Sequence, residues 1–206
     1  SFKISEIELK ELVDSKYVNS SIMSIQKWCE IYLEYLPPEF VNKSYILRGD
    51  FIIEKSTYLR FKKTADILAS LILLIISLPI VIIFSVIIYI EDNGSIFYSQ
   101  KRIGLNGEPF TIYKLRSMRM DAEKEGPQWA SRKDSRITFI GKILRKTRID
   151  ELPQLICVLK GEMSLIGPRP ERKEFEKKIE KEIPNYRIRH LIKPGLSGWA
   201  QVNYPY

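Results

Sequence analysis

The sequence predicts an α+β fold: a mostly helical body carrying one β-hairpin and one long apolar helix. Three observations lead there. Ile67–Ile90 runs for 24 residues without a charge. Asn106-Gly107 separates two segments of strand-like composition, "SIFYSQKRIGL" and "EPFTIYKLRSM". Leu152, Leu155, Ile156 and Leu159 recur at helical spacing ahead of Gly161.

Taken in order, residues 1–59 carry an aromatic-rich amphipathic stretch, "SIQKWCEIYLEYLPPEF", stopped by Pro37-Pro38, and "SYILRGDF" suits a short strand and turn. So few residues bury little core alone, so this region reads as the tail of an upstream domain or a linker arm. The apolar run would extend roughly 36 Å as a helix, long enough for a hydrocarbon core. It is too long and too far into the chain for a removable signal peptide. Pro79, behind Ser77, removes a backbone hydrogen bond and kinks a helix. Arg60, Lys62 and Lys63 precede the run and Lys101 and Arg102 follow it. Both flanks therefore have claims to the cytoplasmic side, and a kinked span and a re-entrant helix both remain open. Asn-Gly is a strong hairpin signal because both residues tolerate positive φ. Residues 120–135 read as a loop, "ITFIGKILRKTRI" as a short basic segment and "SLIGPRPE" as a proline-punctuated loop. Glu171–Arg189 reads as a charged helical stretch broken near Pro184, and "IKPGLSGWAQVN" as a Gly/Pro loop. Starting without Met and stopping at "QVNYPY", the chain reads as part of a longer protein.

The formal charge of +8 calls for an anionic partner: phosphorylated substrate, anionic lipid or nucleic acid. Two distant cysteines, Cys29 and Cys157, and the single His190 exclude a disulfide scaffold and a Cys/His zinc site. A lone histidine reads as a surface or interface residue. No Gly-rich nucleotide loop is present. What remains is "RKTRIDELPQL", with "GPRP" and "YKLRS". Asp150 suits an N-cap, Glu151 the positive end of a helix and Pro153 its first turn. The same helix front suits an anion site. Arg145, Lys146 and Arg148 can neutralise phosphate, and a carboxylate screened by cations can attack phosphorus. Arg169 lies between two prolines that stiffen its backbone.

The ordered set "FYSQKRIG…FTIYKLRSM…GKILRKTRIDELPQLICVLKGEMSLIGPRP…KPGLSGWAQVN" resembles the bacterial sugar transferase family, the monotopic polyprenyl-phosphate phosphoglycosyl transferases. The match covers about Tyr58 to Tyr206. The resemblance implies transfer of sugar 1-phosphate from a UDP-sugar to undecaprenyl phosphate, releasing UMP. This is the first membrane step of exopolysaccharide, capsule or O-antigen synthesis. It implies Asp150 as nucleophile, Glu151 as its assistant, and Mg²⁺ held at Asp150 and Glu151. Arg145 and Arg169 would hold phosphate, with Lys114 and Arg116 in a weaker substrate or lipid-phosphate role. It also implies a re-entrant helix broken at a Ser-Pro pair, here the looser Ser77-Leu78-Pro79. Residues 60–92 then form the membrane-inserted helix with its basic flank. Residues 93–206 form a C-terminally incomplete catalytic domain on the cytoplasmic face of the bacterial inner membrane. The implied partners are UDP-sugar, undecaprenyl phosphate and the lipid bilayer, with no nucleic acid and a homodimer left open. The competing reading is a membrane-anchored basic module that binds anionic lipid or nucleic acid through charge alone.

Overall fold

The computed structural model describes residues 23–33, 36–37, 40–41, 56–124, 126–128, 134–183 and 185–203. The chain divides into two compact units, Ser1–Phe51 and Ile52–Tyr206. In the first, Ser24 caps α1 (Ile25–Trp28) by accepting the Lys27 N–H, and a π-helical turn, Cys29–Leu33, follows. Trp28 and Tyr32 stack at 5.6 Å, and Cys29 is buried. The strand and turn expected over 44–51, and the break expected at Pro184, lie outside the described residues.

The second unit begins with α2 (Ser56–Asp92), 37 residues long. Its mean hydropathy reaches 3.3, yet only 11% of that apolar window is buried against protein. A core helix of a soluble body would be covered; this one presents bare aliphatic surface, including Ile72, Ile75, Ile76, Ile82 and Ile83. It is long and apolar enough to cross a membrane. Its covered positions form one stripe. Ser70, Ser77 and Ile88 are buried, and Asp66, Leu74, Val81 and Phe84 are partly so. The steps of three and four residues trace one helix side. The serines therefore mark the side that meets protein, and Ser77 Oγ donates to the Leu74 carbonyl at 3.2 Å. Pro79 lies inside the helix, which continues to Asp92.

β1 (Phe97–Ile103) and β2 (Pro109–Leu115) form the antiparallel hairpin, in register from Phe97 opposite Leu115 to Ile103 opposite Pro109. Asn106 (φ 56°) and Gly107 (φ 80°) both adopt positive φ as expected. The connection is longer than a two-residue turn, because a short 3-10 helix, Leu105–Gly107, fills it. β2 lies between two cores. On one side Ile112 packs with Cys157, Val158 and Met163. On the other, Leu115 packs with Ile88 of α2 and Leu144.

α3 (Phe139–Thr147) starts at Thr138, whose hydroxyl accepts the Gly141 N–H at 2.9 Å. A Cβ on Gly141 would lie 2.0 Å from the Ser117 carbonyl oxygen, so only glycine lets α3 approach the end of β2. α3 ends at Arg148 in the left-handed region (φ 60°), and a 3-10 helix, Ile149–Gln154, leads into α4 (Leu155–Leu159). This corrects the sequence reading of one helix capped by Asp150. The cap position is Arg148, and Asp150 lies inside the 3-10 turn. Nor does the buried face follow 152, 155, 156 and 159. Leu155, Cys157 and Val158 are buried while Ile156 is exposed, since so short a helix is covered on more than one side. Gly161, at φ 79°, ends it as expected.

β3 (Ser164–Ile166) and β4 (Gly195–Ser197) pair in parallel, where the sequence suggested loops. A Cβ on Gly195 would lie 2.0 Å from the Gly167 nitrogen, so the glycines here serve close packing of the seam. α5 (Lys173–Glu182), the 3-10 helix Tyr186–Leu191 and α6 (Trp199–Asn203) complete the unit. His190 is buried and bonded to Glu176, correcting its expected surface position.

Candidate active site

The left-handed turn at Arg148 reverses the chain between α3 and the 3-10 helix, and so drops Asp150 and Glu151 into the interior. They are only 6% and 8% exposed. The hairpin meets them from one side. Lys114, on the face of β2 that also carries Ile112, donates to Glu151 Oε1 at 2.7 Å. From the other side Arg169, held between Pro168 and Pro170, donates to the same oxygen at 2.8 Å. Arg148 stands 3.9 Å from it. Burial alone would raise the Glu151 pKa, but Lys114 and Arg169 outweigh it and hold the carboxyl down at about 2. Burial pushes the Lys114 ammonium below its usual range, partly offset by Glu151.

Asp150 is equally buried but differs in its hydrogen bonding and in the direction of its pKa shift. Its Oδ1 is buried without a hydrogen-bond partner. Burial pushes its pKa up; Lys114 opposes this, the Glu151 charge adds to it, and Arg145 and Arg148 pull it back in part. One carboxylate is clamped and ionised; its neighbour is buried, unbonded and more basic than an ordinary aspartate. A buried oxygen with no donor is costly for folding alone, and it is the state a nucleophile needs.

The remaining residues divide. Arg145 reaches the site's edge, donating to Ser117 Oγ at 3.0 Å while its charge acts on Asp150. Arg116 is not brought to the acidic pair. It is buried, ion-paired with Asp92 at the end of α2, and its main chain bonds Ile96. Ser77 and Pro79 lie within α2. The sequence reading passed over Arg102 and Gln154, which line a cavity together with Lys114 and Arg169. Their signal was positional. Arg102 shares a hairpin face with Lys114, and Gln154 follows the acidic pair by one helical turn.

Whether the site suits a divalent cation can be judged from its oxygens. Among the described residues no three Asp, Glu, His or Cys side chains cluster. Mg²⁺ needs less than that, often one or two carboxylates together with substrate phosphate and water. The unbonded Asp150 Oδ1 is a suitable hard ligand, and the pair fits such a partial site.

Residues 57–206 match the family described as "Bacterial sugar transferase". A Bacillus subtilis (strain 168) protein named "Putative undecaprenyl-phosphate N-acetylgalactosaminyl 1-phosphate transferase" is 53% identical over 132 residues, 64% of this chain and 74% of that protein. An Aeromonas hydrophila UDP-N-acetylgalactosamine-undecaprenyl-phosphate N-acetylgalactosaminephosphotransferase is 44% identical over 155 residues, 75% of this chain and 37% of its own. The UDP-glucose:undecaprenyl-phosphate glucose-1-phosphate transferase of Escherichia coli (strain K12) is 40% identical over 143 residues, 69% of this chain and 31% of its own. The chain thus spans only about a third of the length of the last two. The matched residues contain the apolar helix, the hairpin and the acidic pair alike, and the chain belongs to the bacterial sugar transferase family.

Proposed function

We propose that this transferase moves a sugar 1-phosphate from a UDP-sugar to undecaprenyl phosphate, releasing UMP, through a covalent phosphosugar on Asp150. The observation that carries the reading is the contrast between the unbonded Asp150 Oδ1 and the clamped Glu151. The relatives' printed names supply the substrate class.

In the first step an Asp150 oxygen attacks the sugar-bearing phosphorus. The bond from that phosphorus to the bridging oxygen breaks, and UMP leaves with the electron pair. In the second, an oxygen of the lipid phosphate attacks the same phosphorus and the Asp150 carboxylate departs, restored. No net proton transfer is required. Glu151 stays ionised and fixes Lys114 and Arg169, whose charges face the transferring phosphate. Arg145 adds positive charge on the Asp150 side. Asp150 and Glu151 would hold Mg²⁺, which, when bound, supplies further neutralisation of phosphate charge.

The attachment of α2 supports a re-entrant course in the membrane. Near its start, Lys62 bonds Asp66 and Ser164, and Ser164 Oγ donates to Asp66 at 2.7 Å. At its end, Asp92 pairs with Arg116, and Glu91 accepts the Ile140 N–H at 3.3 Å. Both ends are thus fastened to one polar body, which favours placing both flanks on the same side of a bilayer. The basic flanks and a nucleotide-sugar donor make that side the cytoplasmic face of a bacterial inner membrane. The product begins a surface glycan such as an exopolysaccharide, capsule or O-antigen.

The test is a panel of UDP-sugars given to the full-length protein with undecaprenyl phosphate and Mg²⁺, separating the nucleotides formed. UMP together with a lipid-linked sugar diphosphate is the expected result. Release of UDP would show transfer of the sugar without its phosphate and would overturn the reading.

A further inference from the structure

Arg169 meets Glu151 from a loop in which both of its neighbours, Pro168 and Pro170, lack an N–H. Proline fixes φ but leaves ψ to other contacts. The loop is held by its carbonyls instead, four in succession. Pro168 O accepts the Gly195 N–H of β4 at 2.9 Å, and Glu171 O accepts the Ile103 N–H of β1 at 3.0 Å. Between them, Pro170 O accepts from Arg102 Nη1 at 3.1 Å, and Arg169 O accepts from Arg189 Nη2. The outer two bonds join main chain to main chain. The inner two come from arginine side chains, and Arg189 holds the residue whose guanidinium reaches Glu151.

Arg189 is itself firmly placed. It lies in the 3-10 helix Tyr186–Leu191, where residues three apart stand one above the other. Tyr186 therefore lies against it: the Tyr186 hydroxyl accepts from Arg189 Nη1, and its ring centre is 4.7 Å from the guanidinium carbon. The next residue, His190, is buried and bonded to Glu176 of α5, which pins the same 3-10 helix. One arm of the guanidinium fork is thus occupied by Tyr186 and the other by the Arg169 carbonyl, in a charge-assisted bond. Arg189 has no hydrogen bond to either carboxylate of the acidic pair, and its connection to them runs through Arg169.

We propose that Arg189 is a positioning residue for the transfer: by holding the Arg169 main chain it fixes where the Arg169 guanidinium stands against Glu151 and the transferring phosphate. The role rests on the reaction proposed above, in which Arg169 faces that phosphate. A shift of about 1 Å in such a group can cost up to about a hundredfold in rate without removing a substrate contact. Arg102 holds the next carbonyl but also stands beside Lys114, so its loss would mix two effects. Arg189 gives the cleaner case, since its hydrogen bonds go to Tyr186 and to Arg169.

A double-mutant cycle in the full-length protein tests this, with Arg189→Leu, Arg169→Gln and the two together, and Arg189→Lys as the conservative variant. For each, kcat, the KM for undecaprenyl phosphate and the unfolding temperature are measured. Arg189→Leu is expected to lower kcat roughly tenfold, with the acceptor KM within about twofold of wild type. Arg189→Lys keeps the charge and one donor but not the fork, and should recover part of that loss. Adding Arg189→Leu to Arg169→Gln should cost no further rate, because the group being positioned is already gone. A residue that only stabilised the fold would lower the unfolding temperature and leave kcat at the wild-type level wherever the variant is folded. That outcome would overturn the proposal, and so would rate losses that multiply across the two positions. The nucleotide formed separates this role from the reaction itself. UDP in place of UMP ends the assigned transfer, while the same cycle, read on UDP release, still decides the role of Arg189. With no nucleotide released, the transfer falls and the cycle is read in unfolding temperature. A double-variant loss smaller than the sum of the single losses then keeps Arg189 as the holder of Arg169, and additive losses overturn it.

Discussion

Two adjacent carboxylates sit in opposite electrical surroundings. Around Glu151 the hairpin and the proline-flanked loop bring Lys114 and Arg169 to one oxygen, and the carboxyl is held at about 2. Around Asp150 the protein withdraws water and supplies Oδ1 with no hydrogen bond, and the pKa rises. The difference teaches how one short turn can build a clamped, ionised carboxylate beside a buried, unbonded one. The clamp on Glu151 stabilises the fold and positions two cations. The buried, unbonded Oδ1 of Asp150 is sustained at the fold's expense, which suits the nucleophile proposed for it.

The largest expected effect comes from removing the reactive member. Asp150→Asn keeps the shape but leaves no carboxylate to attack phosphorus, and UMP release should fall at least about a thousandfold. Turnover near the wild-type level would end the assignment. Next is the anchor. A carboxyl lowered from 4.5 to about 2 represents about 3 kcal/mol of stability. Glu151→Gln should therefore lower the unfolding temperature of detergent-solubilised protein by roughly 6–12 °C. The sign follows from linkage. Because the folded pKa lies below the unfolded one, this stabilisation is present above about pH 4.5 and lost as pH falls toward 2. Wild type should lose stability across that window, and Glu151→Gln should lose less.

Arg145 tests the electrostatic balance at Asp150. Its charge pulls the Asp150 pKa back toward normal, so Arg145→Gln should let it rise further. The acidic limb of the kcat/KM profile should move to higher pH, with turnover at neutral pH reduced roughly tenfold. A smaller effect of opposite sign returns to Asp150→Asn. Burial disfavours the ionised Asp150, so the neutral amide should raise the unfolding temperature, roughly 2–4 °C per kcal/mol relieved. If Asp150→Asn and Glu151→Gln shift stability in the same direction, the contrast between the two carboxylates is wrong.

Much of this was legible in the sequence where the signal is local. Asn106-Gly107 encodes its own positive φ, Gly161 ends a helix, and the uncharged run announces α2. The acidic pair was recognised, but its backbone was not. "DELP" carries every mark of a capped helix start, and nothing nearby reveals that Arg148 takes the left-handed turn instead. The parallel seam of β3 and β4 was invisible because strands this short have no periodicity and pair across about thirty residues of chain. Arg102 and Gln154 escaped for a related reason. An arginine facing a buried cavity and one facing water look alike along a strand, and the hairpin register alone brings Arg102 to the face that carries Lys114. His190 was misjudged because its partner, Glu176, comes from a separate helix.

The most direct measurement of the central claim is the mass of the full-length protein after incubation with a UDP-sugar that it uses, Mg²⁺ and no undecaprenyl phosphate. The account predicts an adduct of one sugar phosphate on the peptide containing Asp150, absent from Asp150→Asn and discharged when undecaprenyl phosphate is added. Stoichiometric UMP release with no adduct, or an adduct on Glu151, would contradict it.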